Sequence, residues 1–480
     1  MNITELTVHE LQEKLVNKEI SITDITKAYV DRINEKENDV QAFLEIQEKE
    51  ALEKAKEIEE KVEKGEIQGN LAGIPIGIKD NMCVKGTKTT CASKMLENFV
   101  APYNATVIEK LNEENIISLG KTNMDEFAMG SSTENSAFGV THNPLDFDRV
   151  PGGSSGGSAC AVALNLCPIS LGTETGGSVR QPASYCGIYG LKPTYGRISR
   201  YGVVAFASSL DQVGIFSKTL EDNALMLEVL AGQDKNDGTS SSEVVDNYVD
   251  EINKIASKVT VGVPKEILSM CKDMPCENNF KNFIDFLKNN GITIKEVSVK
   301  DVELGLATYY ILSPAEATSN LARFDGVKYT SRSEEATNLQ EIYKMSRSEG
   351  FGKEVKRRIM QGNYVLSSGY FDAYYNKAKK IQGLLIKEYE DALKECDIII
   401  MPTTIGEAYK IGSKPSDPVE TYKEDIFTVT ANIAGLPSLN IPFGKGENGL
   451  PLGIQLMSKK FNEKEIYQLA KFIETKRGND

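Results

Sequence analysis

Apolar residues recur at three- and four-residue steps through the first sixty positions and then give way to short unbroken runs, so the chain reads as a helical beginning followed by an α/β body. Thr7 with Glu10 makes a capping box, and Leu11 and Leu15 follow at i, i+4. A second helix is predicted from near Ser21, with Ile22, Ile25, Tyr29 and Ile33 on one face, and a third, highly charged one over Glu48 to Lys64. Residues 1–67 therefore form an N-terminal helical flank, and 68–480 one structural unit. From Leu71 the texture is Gly, Pro and apolar runs, with Ile74 to Ile78 a buried strand that ends at Lys79. Strand patterns at Ile116 to Leu119, Ile169 to Leu171, Val259 to Val263, Ile292 to Val297 and Asp397 to Met401 alternate with helical ones, which is α/β order. The helical stretches are Ala105 to Glu114, Ser155 to Ala163, Thr219 to Ala231, Glu277 to Asn289 and Asp372 to Lys394. The C-terminus adds strands at Ser438 to Phe443 and Leu452 to Met457 and a helix from Asn462, while Asp234 to Glu243 is a polar loop.

Composition narrows the class. With 40% hydrophobic and 26% charged residues interspersed, no run of about 18 apolar residues offers a membrane span. The start, Met1 to Leu6, lacks the basic and apolar regions of a signal peptide, so a cytoplasmic location is expected. The cysteines show no Cys-x-x-Cys pair and no histidine at zinc spacing, and read as reduced, buried thiols with no metal site. The balance of 55 basic and 69 acidic residues, 55 − 69 = −14, repels a phosphate backbone over most of the surface. The basic run Lys353, Lys356, Arg357, Arg358 reads as a solvated helix face.

With only two histidines, His9 and His142, in the chain, lysine enters as a candidate base for serine chemistry. Three Gly-rich segments within about a hundred residues supply the parts: Gly77 to Asn81, Pro151 to Ser158, and Gly172 to Arg180. In Thr175-Gly176-Gly177-Ser178 successive N–H groups converge in a turn that can hold an oxyanion, with Ser178 at its edge as nucleophile. Lys79, at the end of an apolar strand, is expected to lose its proton readily through desolvation, with Asp80 opposing the shift if it points the same way. Gly152 and Gly157 have phosphate-loop spacing, but Ser158 and Ala159 follow where such a loop needs Lys and Ser or Thr. His142 lies 12 residues before Ser154, in a loop that suits a structural role, and His9 sits inside the first helix with no assigned role.

Taken together, Gly73 to Asn81, Gly120 to Phe127, the serine loop and Tyr189 to Thr194 resemble the amidase signature family, over roughly 71–222 with further islands to the C-terminus. The resemblance implies a single amidase-signature α/β domain with a mixed central β-sheet flanked by helices on both faces. It also implies a Ser-cisSer-Lys triad: Ser178 the nucleophile, Ser154 the relay after a cis peptide, Lys79 the base, with Thr175, Gly176, Gly177 and Ser178 as the oxyanion hole. Within the family, Asn123 to Ser131, Ala315 to Arg323 and Phe351 to Tyr374 are similar to the glutaminase subunits of tRNA-dependent amidation complexes. That likeness implies glutamine as substrate, with Arg358 for its α-carboxylate, Asp425 for its α-ammonium, Tyr309 or its neighbour Tyr310 beside them, and Gly130 and Ser131 in the binding loop. It further implies no cofactor on this chain, ATP and Mg used by a partner subunit, tRNA held mainly by that partner, and B and C subunits completing a heterotrimer. Glu174, where the family pattern has aspartate, and Val179, where isoleucine is common, bear on the packing of the oxyanion turn. The rival readings are a stand-alone amidase acting on another small amide, and a non-catalytic scaffold, which the intact Lys79, Ser154 and Ser178 oppose.

Overall fold

The computed structural model describes residues 2–67, 71–254, 259–413 and 417–478. The expected boundary at 67/68 abuts residues 68–70, outside the described residues. Strands β1 (Phe43–Ile46), β2 (Pro75–Lys79), β3 (Ile117–Thr122), β4 (Ile169–Glu174), β5 (Tyr189–Lys192), β6 (Gln212–Ser217), β7 (Thr260–Pro264), β8 (Thr293–Val297), β9 (Ile398–Pro402), β10 (Ser438–Lys445) and β11 (Pro451–Met457) form one 11-stranded sheet in the order β1-β3-β2-β4-β6-β5-β10-β11-β9-β7-β8. The sheet is mixed: β2 runs parallel to both β3 and β4, and β7 parallel to β8 and β9, while β4–β6, β6–β5, β5–β10 and β10–β11 are antiparallel. Its strands β2, β4 and β6 are buried along their whole length, so none of them needs the alternation of apolar and polar residues that a half-exposed strand shows. No helix among the described residues is long and apolar enough to cross a membrane.

The predicted helices fall close to their expected places. Thr7 makes the expected capping box before helix Val8–Val16, and Ser21, near which the second helix is predicted to start, makes the same reciprocal cap with Asp24 before Ile22–Val40. The helix Glu277–Asn289 has the predicted ends, and Thr219 caps Leu220–Leu230. Differences are instructive. Phe43–Ile46, inside the helical flank, is a strand that pairs antiparallel with β3 and covers the sheet edge. The predicted helix from Asp372 begins with a π-helical turn, Asp372–Asn376, before Lys377–Glu395. In the basic run, Lys353 and Lys356 are exposed but Arg358 is turned inward and buried.

The topology places the site. The three parallel neighbours β3, β2 and β4 deliver Thr122, Lys79 and Glu174 at their carboxyl ends, on one rim of the sheet. The loops leaving these strands therefore start side by side, the usual position for a ligand crevice in an α/β sheet.

Candidate functional site

Lys79 is the last residue of β2 and is wholly buried. Its Nζ lies 2.8 Å from Ser154 Oγ, 2.8 Å from Ser155 Oγ and 3.3 Å from the Thr173 carbonyl of adjacent β4. Burial pushes the amine down to about 7, while the negative charges of Asp125 and Asp211 work the other way. Asp80 does not oppose this shift at close range: its carboxylate accepts from Thr90 N–H (2.9 Å) and pairs with Lys121 at 3.2 Å.

The hydrogen inventory around Lys79 distinguishes the two serines. Ser155 Oγ donates its hydrogen to the Thr173 carbonyl at 3.0 Å, so it accepts from Lys79, as that carbonyl also does. A neutral amine has two hydrogens, and these two acceptors take both. Its lone pair then faces the Ser154 hydroxyl, which becomes the donor. Ser154 is thus able to pass a proton to Lys79, and Ser155 is held as a fixed acceptor.

The Gly153–Ser154 peptide is cis, as the family resemblance implies. Neighbouring chain holds it: Asp125 N–H donates to the Ser154 carbonyl (3.1 Å), and Thr133 Oγ1 donates to the Gly152 carbonyl (2.8 Å) and accepts from Gly156 N–H (3.0 Å). Asp125 in turn accepts N–H bonds from Ser132, Thr133 and Asn135, which shapes the loop after Gly130 and Ser131. A side chain at Gly153 would strike the Asp125 carboxylate.

Ser178 sits in the turn between β4 and helix Arg180–Cys186, 8% exposed. Gly177 has φ +137°, and a Cβ there would run into Thr428 Oγ1. At Gly176 a Cβ would lie 2.5 Å from the Tyr309 ring. The turn is therefore clasped between Tyr309 and Thr428, whose hydroxyl donates to the Gly176 carbonyl at 2.6 Å. At its start, Thr175 Oγ1 donates to Asp211 Oδ1 at 2.6 Å, and burial raises that carboxyl to about 6.

Sequence reasoning missed what anchors this turn. Glu174 accepts the N–H groups of Val179 and Arg180, both at 3.0 Å, and pairs with the Arg180 guanidinium, Nε at 2.9 Å. Burial alone would raise the Glu174 carboxyl, but the charge and hydrogen bonds of Arg180 outweigh it and hold it below the usual range. Arg180 also donates to Gln455 Oε1, Asn432 Oδ1 (2.6 Å) and the Thr428 carbonyl (2.9 Å). The longer carboxylate at 174 thus keeps the two N–H groups after Ser178 occupied, while those of Thr175 to Ser178 are not among the ones it takes. The signal available was the acid–base pair six residues apart inside an otherwise uncharged Gly-rich segment.

Away from the serines a second cluster forms. Helix Gly305–Asn320 carries Tyr309 and Tyr310, helix Lys353–Leu366 carries Arg358, and the short turn Lys423–Asp425 carries Asp425. Tyr310 donates to Asp425 Oδ2 at 2.6 Å and stacks on Tyr422, ring centres 3.9 Å apart. The Arg358 guanidinium lies 4.9 Å from the Tyr310 ring and 5.2 Å from Tyr422, and its Nε donates to Glu354 at 2.8 Å. Burial pushes the Asp425 carboxyl up to about 7 against the pull of the Tyr310 hydroxyl and of Arg358. Tyr310 is therefore the tyrosine bonded to Asp425, while Tyr309 faces Gly176. Thr428 N–H donates to the Asp425 carbonyl at 3.1 Å, so one short segment serves both this cluster and the Ser178 turn. His142, in contrast, uses Nδ1 to bond the Phe147 carbonyl (2.7 Å), a loop contact.

Known proteins share this sequence and fold over nearly the whole chain. The amidase family model matches residues 24–467. The chain is 51% identical over 474 residues to the A subunit of glutamyl-tRNA(Gln) amidotransferase from Geobacillus thermodenitrificans, covering 99% of this chain and 98% of that protein. It is 52% identical over 470 residues to the protein of the same name in Clostridium botulinum, covering 98% and 97%. The crystal structure of the corresponding glutamyl-tRNA(Gln) amidotransferase A subunit from Thermotoga maritima matches with TM-score 0.82 at 39% identity, over 99% of this chain and 95% of that one. The native peptide amidase of Stenotrophomonas maltophilia matches with TM-score 0.83 at 26% identity, over 98% and 96%.

Proposed function

Because this chain belongs to the amidase family, we propose that it hydrolyses glutamine to glutamate and ammonia as the glutaminase subunit of a tRNA-dependent amidotransferase. The observation that carries the chemistry is the buried Lys79 amine 2.8 Å from Ser154, beside the Ser178 turn. The near-full-length identity of about half to glutamyl-tRNA(Gln) amidotransferase A subunits supports the narrower assignment.

In this reading Ser178 Oγ attacks the side-chain amide carbon as its proton moves to Ser154 and the Ser154 proton moves to Lys79. The N–H groups of the Thr175–Ser178 turn meet the oxyanion that forms. Collapse breaks the C–N bond, the proton returns through Ser154 to the leaving nitrogen, and ammonia departs from a glutamyl ester on Ser178. Water then repeats the relay in the same sense and releases glutamate. Arg358 takes the α-carboxylate and Asp425 the α-ammonium, with Tyr309, Gly130 and Ser131 closing the site. Glu354 already balances the Arg358 charge, so an incoming carboxylate meets a guanidinium whose orientation is set in advance.

Arg358→Ala and Asp425→Ala are expected mainly to raise KM for glutamine, each by the equivalent of about 1.5 to 3 kcal/mol. A simple aliphatic amide, which carries neither charge, should be affected less. Equal losses on both substrates would favour the stand-alone amidase.

The ammonia passes to a partner that holds tRNA and uses ATP and Mg to activate Glu-tRNA(Gln), in a cytoplasmic complex with B and C subunits. Mixing the chain with glutamine, ATP, Mg and Glu-tRNA(Gln) is expected to give Gln-tRNA(Gln) only when the partner subunits are added. Ammonium should replace glutamine when Ser178 is mutated. Product from the chain alone would refute the division of labour.

A further inference from the structure

The residue after Arg180 joins two loops that the chemistry needs in register. Gln181 is fully buried. Its Oε1 accepts from Gly153 N–H at 2.9 Å, one residue before the relay serine, and its Nε2 donates to the Ser131 carbonyl at 3.0 Å. Both partners are main-chain groups of a fixed kind, a donor and an acceptor, so only one orientation of the amide satisfies them. Gln181 N–H itself donates to the Gly177 carbonyl at 2.8 Å, which ties the bridge to the nucleophile's turn as well.

We propose that Gln181 is a positioning residue that couples the substrate loop at Gly130–Ser131 to the relay at Ser154, so that the loop closing on glutamine and the proton path are set by one side chain. This rests on the glutaminase reading for the identity of the substrate, and on geometry alone for the coupling. Methionine matches Gln181 in length and removes both bonds, leaving a buried N–H and a buried carbonyl unpaired. A protonated glutamic acid has the same acceptor and donor pair. Burial, with the Asp125 carboxylate packed against Gly153, favours that neutral form.

The test is steady-state kinetics of Gln181→Met and Gln181→Glu in the full complex, each normalised to the fraction of Ser178 that forms an acyl adduct and compared with wild type at the same pH. Gln181→Met is expected to raise KM for glutamine about tenfold and lower kcat by a similar factor. At pH 6 Gln181→Glu should recover most of both, a pattern that general loosening of the fold would not give. A Gln181→Met enzyme with KM and kcat within twofold of wild type would overturn the coupling, as would Gln181→Glu no better than Gln181→Met at pH 6. Should wild type fail to hydrolyse glutamine, the functional reading falls, and the same two variants test the coupling on whichever amide wild type does cleave.

Discussion

Ser178→Ala is expected to abolish glutamine hydrolysis, a loss of about 10⁴- to 10⁶-fold in kcat, while the protein unfolds at the wild-type temperature. The two halves of that expectation come from different atoms. The hydroxyl supplies the bond to the acyl group, and nothing else in the turn replaces it. The turn itself is held by Glu174 on the N–H groups of Val179 and Arg180 and by Thr428 on the Gly176 carbonyl, none of which uses the Ser178 side chain. Acid quenching of wild type during turnover followed by peptide mass spectrometry should place a glutamyl ester on Ser178. An adduct on Ser154 or Ser155 would overturn the assignment of nucleophile.

Lys79→Arg is expected to lower kcat/KM by about 10³-fold or more, because an arginine remains protonated at every pH the fold tolerates and has no lone pair to offer Ser154. In the proposed relay the working form is the neutral amine, whose burial brings it to about 7. The sign follows: below pH 7 the amine gains its proton and kcat/KM falls tenfold per pH unit, and above pH 7 the profile levels off. Asp211, 2.6 Å from Thr175 Oγ1, is one of the charges resisting the downward shift. Asp211→Asn should therefore move the acid limb to lower pH. An acid limb unchanged in Lys79→Arg would show that another group takes the proton.

The parts of the site that announce themselves in the sequence are those whose chemistry and backbone are local. Lys79 ends an apolar run, and Ser154 and Ser178 lie in turns so rich in glycine that close main-chain approach is implied. Arg358, Asp425 and Tyr310 had no such signal. They meet across 115 residues of chain in the Tyr310–Asp425 bond alone, and only family resemblance brought them together in advance. Glu174 departs from the family pattern in the turn, and the arginine six residues on is the one sign in the sequence of the ion pair that the fold buries. Gln181 carries no sequence signal for a related reason, since an amide in the first turn of a helix looks solvent-facing until the loops at Ser131 and Gly153 close on it. Among strands, Phe43–Ile46 escaped because four residues between two helices carry too little periodicity, and its partner β3 lies about 70 residues away. The buried strands Tyr189–Lys192 and Gln212–Ser217 escaped for want of alternation.

Lys79, Ser154 and Ser178, which we propose as base, relay and nucleophile, all lie within the first 178 residues, but the groups that close the turn do not. Thr428 presses on Gly176 and Gly177, and Arg180 reaches Asn432 and Gln455. On the ribosome, where the N-terminus emerges first, Lys79, Ser154 and Ser178 are therefore translated long before the framework that aligns them. A chain that stops short of Thr428 carries Ser154 and Ser178 without the contacts that hold the turn, and is expected to release no ammonia from glutamine in a glutaminase assay.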